Sequence, residues 1–288
     1  MIFPLLFSLT CSVIGDVTMV KFFGKVPDVS LENEVVKLSE ECIDDCFNSP
    51  ECILVFMDTD SHCLQYDYNS SAEFSVVETE SADGFTVAIK TLFPESICPA
   101  SHRDIQFVSQ VEEDWPMSWF NTSTGWILKK CEDSWTRFER EDSVIVCMKG
   151  YALPIGSNKT TAEELCVDKG HVITGVASVQ ECLWLQGQLL LLLGSSFAEW
   201  YGLWIDGIKN CTVNDENCRN FAWSDGYTTG NEAFADGNVK FSGEDETCLS
   251  VTKLYGESIT LNDVGCTDEK RFESGAGVAC GYRLQLSP

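Results

Sequence analysis

The residues best suited to chemistry in this chain are its cysteines. Fifteen occur among 288 residues, and all but Cys11 lie beyond the first sixteen positions. Thiolates serve as nucleophiles or zinc ligands when paired CxxC clusters or histidines stand by. The chain has no CxxC and only three histidines, His62, His102 and His171. His-Glu-x-x-His, glycine-rich phosphate-loop and Gly-x-Ser-x-Gly patterns are all missing. Acidic pairs are plentiful, but only their separation in space would make a glycosidase of them. Disulfide-bonded cysteines in an exported, non-enzymatic protein are the expectation. Four glycosylation acceptors, at Asn69, Asn121, Asn158 and Asn210, fit the same compartment.

Forty-five acidic residues against nineteen basic ones give a formal charge of −26. Such a surface repels nucleic acid and anionic lipid, and suits a cation or a basic partner. Residues 1–15 are apolar with Pro4 among them and read as a signal peptide cut near Gly15, which removes Cys11. That stretch is too short to span a bilayer, and no later run approaches eighteen apolar residues. A secreted, extracellular product without membrane insertion follows.

Elements must hold these residues in place. Residues 17–91 read as a first module, with a strand over Val17–Phe23 and a helix within Leu38–Phe47 that puts Cys42 and Cys46 on one face. Ser39 is its expected N-cap. Cys52–Met57, His62–Tyr66 and Phe85–Ile89 read as strands. Cys42, Cys46, Cys52 and Cys63 allow three pairings, of which nested Cys42–Cys63 and Cys46–Cys52 are expected. Residues 92–130 carry Pro94, Pro99, Pro116 and three tryptophans, and read as an ordered connector or an extra hairpin. Residues 131–286 form a second module. Helices are expected over Lys159–Lys169, capped by Thr160 or Thr161, and from Ser178, where Glu181 suggests a capping box. Strands follow at Trp204–Ile205, Phe221–Trp223, Cys248–Val251 and Val278–Leu284. The fold class is α+β.

The second module resembles a long-form C-type lectin-like domain. The resemblance is carried by Cys131-x3-Trp135, Cys147, Cys166 and Ile173-Thr174-Gly175 with the Glu181 segment. It continues through Trp204-Ile205-Asp206-Gly207, Phe221-Ala222-Trp223-Ser224-Asp225-Gly226, Cys248, Asn262-Asp263-x2-Cys266 and Cys280-Gly281-Tyr282. It implies bridges Cys166–Cys280, Cys248–Cys266 and Cys131–Cys147. Cys211 and Cys218 resemble the extra bridge of nematode members. Cys98 and Cys182 remain; either they bond to each other or another pair differs. The first module resembles the nematode PAN-like (CW) domain, an apple-type relative, through Lys21–Gly24, Cys42-x3-Cys46-x5-Cys52, Cys63 and Phe85–Lys90. The order of the two modules is a nematode arrangement.

In sugar-binding C-type lectins, a Glu-Pro-Asn or Gln-Pro-Asp tripeptide and a later Trp-Asn-Asp hold calcium, which accepts sugar hydroxyls. Here the later motif stands as Leu261-Asn262-Asp263, and residues 229–243 contain Asn231-Glu232-Ala233 but no proline. Glu232, Glu244, Asn262 and Asp263 are the ligands if calcium binds. The preferred reading is that Asn262 and Asp263 hydrogen-bond the loop beside Cys266, with no cofactor. Trp204 and Trp223 are expected in the core. The implied function is extracellular recognition of a glycan without the usual calcium site. The alternative is a protein-binding adhesion, matrix or defence module.

Overall fold

The apolar run Cys52–Met57 is a strand buried along its whole length in the structure, a computed structural model. Described are residues 16–30, 32, 34–93, 101–111, 116–141, 144–193, 200–210, 220–230, 232–234, 239–240, 246–254, 260–267 and 276–285. The chain divides into two units, Met1–Lys130 with Leu286–Pro288, and Cys131–Gln285.

The first unit contains β1 (Asp16–Lys25), β2 (Val35–Val36), α1 (Ser39–Asn48), β3 (Cys52–Met57), β4 (His62–Asp67), β5 (Glu73–Glu78) and β6 (Thr86–Phe93). After these come β7 (Val108–Ser109), β8 (Met117–Ser118), β9 (Phe120–Asn121) and β10 (Gly125–Lys129). An eight-stranded sheet runs β2-β4-β3-β6-β1-β5-β10-β9, with β7 and β8 paired apart from it. Alternation along β3 sends Leu54 and Phe56 to the main apolar cluster, and Val55 and Met57 to the cysteine cluster under α1. Cys42–Cys63 and Cys46–Cys52 are the bridges formed there, with Cα atoms 6.3 and 5.2 Å apart. Leu38 rather than Ser39 stands at the N-cap of α1 and makes no side-chain cap bond. Ser39 Oγ instead accepts from Lys21 Nζ at 2.7 Å.

Much of the stretch read as a connector belongs to this unit. β10 pairs with β5 from Gly125↔Val77 to Lys129↔Glu73. Trp119 and Trp126 are buried in the main cluster beside Phe22 and Phe107. The tryptophans are there because their large apolar surface closes the sheet.

The second unit contains β11 (Thr136–Glu139), β12 (Ile145–Leu153), α2 (Lys159–Asp168), β13 (Val172–Ile173), α3 (Val179–Leu193), β14 (Trp200–Lys209) and β15 (Phe221–Ala222). β16 (Val239–Lys240), β17 (Cys248–Leu254), β18 (Thr260–Val264) and β19 (Ala276–Arg283) complete it. Its sheet runs β11-β12-β19-β14-β17-β18-β16, with β13 on β19 and β15 on β14. Cys166–Cys280 ties α2 to β19, Cys248–Cys266 closes the β17–β18 end, and Cys131–Cys147 fixes the start of the unit.

The cap of α2 is Asn158, which accepts from Thr161 N at 3.0 Å, two and three positions before the expected Thr160 and Thr161. At α3, Ser178 Oγ accepts from Glu181 N as a cap should. The return bond of Glu181 goes to Ala177 N, because its carboxylate also serves Arg140. The architecture is thus mixed α+β: a disulfide-rich N-terminal module, then a β-rich unit with the bridges expected of a C-type lectin-like domain.

Candidate recognition site

The loop-bearing end of the second unit is built on β14, β17 and β18. β18 sets Asn262 opposite Ser250 and Asp263 opposite Leu249. Neighbours on a strand leave the sheet on opposite faces, so these two side chains diverge. Asp263 is fully buried, and Oδ2 accepts from Lys209 Nζ at 3.0 Å. Lys209 sits at the end of β14, where its N–H donates to the Thr247 carbonyl at 2.8 Å. An ammonium thus neutralises the carboxylate that calcium would use. Asn262 is 7 % exposed, and its Oδ1 meets no hydrogen-bond donor among the described residues. On β17, the strand paired with β18 there, Ser250 Oγ and Thr252 Oγ1 are 2.7 Å apart and both buried.

Glu232 is exposed on a short 3-10 turn whose Ala233 and Phe234 enter the core. Glu244, Cys98, Cys211 and Cys218 lie outside the described residues. Cys182 is a buried free thiol, so the Cys98–Cys182 bridge is not formed. It sits in the apolar cluster of α3 with Sγ 3.9 Å from the Ala233 carbonyl. Burial, with Glu181 adding to it, pushes the thiol up to about 12 and keeps it protonated. Trp204 is fully buried and donates to the Ser157 carbonyl, as a core residue. Trp223 is half-buried, stacks on Phe234 with centroids 6.0 Å apart and donates to the Gly230 carbonyl.

A network not foreseen from the sequence supports this end. Arg140 Nε donates to Glu181 Oε1 at 2.8 Å and Nη2 to Oε2 at 3.0 Å, a bidentate pair. The same guanidinium donates to the Gly175 and Tyr227 carbonyls and to Thr228 Oγ1. Asp225 accepts from Gly175 N at 2.8 Å, and Asp206 accepts from Ser224 Oγ and Asp225 N. Lys159 is buried, its ammonium pKa lowered by desolvation, and it donates to the Gly207 carbonyl. The Trp-Ile-Asp-Gly and Trp-Ser-Asp-Gly segments are therefore turn-holding acids. Gly207 is obligatory there: φ is +116° and a Cβ would lie 2.6 Å from Leu249.

Of the glycosylation acceptors, Asn69, Asn121 and Asn210 are exposed, while Asn158 is half-buried at its helix cap. In the first unit, single ligand atoms of Asp58, Asp60 and His62 lie within 4.8 Å of one another. The β3–β4 turn accounts for them: Asp58 accepts from Asp60 N, His62 N and His62 Nδ1. No described helix is long and apolar enough to cross a membrane.

Residues 19–91 match the family model described as a PAN-like domain. No curated protein matches the chain. Among solved structures, it is similar to the herring type II antifreeze protein at 18 % identity, covering 54 % of this chain and all of that one, with a TM-score of 0.33. The carbohydrate-recognition domain of the mouse scavenger receptor C-type lectin gives 18 % identity, 55 % and 100 % coverage, and a TM-score of 0.31. The cow C-type carbohydrate-recognition domain of CD23, solved in the presence of a GlcNAc2Man3 oligosaccharide, gives 18 %, 55 %, 98 % and 0.32.

Proposed function

We propose that this chain is a secreted, non-enzymatic recognition protein whose C-type lectin-like unit binds glycan without calcium. The observation that carries the calcium independence is the 3.0 Å contact of Lys209 Nζ with buried Asp263. A fixed ammonium satisfies the charge that an ion would otherwise meet, and a second cation beside it is repelled. The recognition role is supported by the PAN-like match over 19–91 together with the disulfide frame of the second unit. Domain limits of 17–91 and 131–286, and a leader over 1–15, belong to the same proposal.

A glycan array run with calcium and with EDTA tests it. The expected result is binding that free sugars compete and that chelation leaves unchanged. Calorimetry that detected micromolar calcium, abolished by Asp263→Asn, would return the chain to the calcium-dependent lectins. A second reading, recognition of a protein strand, is favoured by the exposed edge strand β2, where Val35, Val36 and nearby Leu38 face solvent. A ligand retained equally well after its deglycosylation would select that reading.

A further inference from the structure

The long helix α3 has two faces of different use. Cys182, Leu185 and Leu189 are buried in the core cluster and Leu192 packs on it. On the far side, Leu183 is 54 %, Leu190 47 % and Leu191 75 % exposed. Gly187 lies between them, and a Cβ there would meet no atom within 4 Å. Exposed leucines favour association and a mid-helix glycine weakens the helix, so neither serves a helix that only faces water.

We infer that this stripe is the contact between two copies of the chain, packed antiparallel about a twofold axis at Gly187. Leu183 and Leu191 lie four residues before and four after the glycine. At 100° per residue they stand symmetrically to either side of it. A twofold there sets Leu183 of each copy against Leu191 of the other, the self-complementarity an isologous interface requires. The missing side chain lets the two backbones approach.

Charge argues for a second copy as the occupant. With 45 acidic and 19 basic residues, two copies repel wherever ionised surfaces meet. Glu181 is the sole charged residue of α3, and it is buried against Arg140. The exposed face of α3 therefore carries no charge of its own, and on it like-charged molecules can meet. One helix crossing buries less than the roughly 800 Å² per partner of a standard interface. The dimer is consequently weak, and its effect is to present two recognition units together, raising avidity.

Sedimentation of the full secreted chain over a concentration series up to roughly 1 mM tests this. The expected result is a reversible shift toward twice the monomer mass, weakened at least tenfold by Leu191→Glu or Leu183→Glu. Because those variants could fail to be secreted, Gly187→Cys gives a second readout. Mild oxidation should link it into covalent dimers, and Gly187→Cys with Leu191→Glu should stay monomeric. A monomer at every concentration, or a dimer indifferent to both leucine changes, would overturn the inference. So would capture of the monomer on neutral phosphatidylcholine vesicles that Leu191→Glu abolishes, which would assign the stripe to a lipid surface.

Discussion

At the residue scale, the pair that defines the loop end is Lys209 with Asp263. Breaking a buried pair strands one charge, at a cost of about 3 to 5 kcal/mol, whereas replacing both partners by apolar groups is near neutral. Lys209→Met should therefore lower the urea midpoint strongly, and adding Asp263→Leu should restore much of it. A single variant with wild-type stability would show that the ion pair has no structural role. In the first unit, Glu78 receives Arg103, its main stabilising contact, and His102, whose ring stacks on Phe22 at 4.8 Å. The Arg103 hydrogen bond, opposed by burial and helped by His102, holds the Glu78 carboxyl below the usual range. A depressed carboxylate contributes stability above its unfolded pKa of about 4.3 and loses it as pH falls through the folded value. The stability gap between wild type and Glu78→Gln should accordingly be full at pH 7 and close on acidification. Unfolding curves with a gap independent of pH would refute the assignment.

At the element scale, bridges and caps do the holding. Cys166–Cys280 closes a separation of 114 residues, against 6 for Cys46–Cys52. Loop-closure entropy gives about 4 to 5 kcal/mol for the first and about 2 for the second. Paired Cys→Ala changes at the long bridge should therefore reduce secreted yield and melting temperature more than those at the short one. Equal losses would point to native-state packing rather than chain entropy. α1 ends under Lys90, whose Nζ donates to the Ser49 carbonyl at 2.7 Å and approaches that of Cys46 at 3.4 Å. A cation there offsets the carbonyl end of the helix, and burial lowers its pKa. This contact joins β6 to the end of α1, and no local pattern announces it.

At the scale of the whole molecule, a charge of −26 makes self-repulsion the main long-range force. Raising salt from about 10 to 150 mM shortens the screening length to about 8 Å and should raise the melting temperature. A melting temperature that fell with salt would mean that attractive pairs outweigh repulsion. Strand positions in both units were legible from apolar runs and alternation: Cys52–Met57, His62–Tyr66 and Cys248–Val251 all lie within observed strands. The segment 92–130 was less legible, because three tryptophans reveal a need for packing but not the sheet that meets it. The cap of α2 was missed by two or three positions because Asn, Thr and Thr offer similar oxygens in succession. By itself, the sequence determined the α+β class, four strands and one helix of the first module and the shared helix face of Cys42 and Cys46, since periodicity and residue type are local properties. Only the tertiary structure decided that Lys209 meets Asp263 across 54 residues and Arg140 meets Glu181 across 41. Charged side chains find partners through strand register and packing, and that choice is made when the whole unit closes.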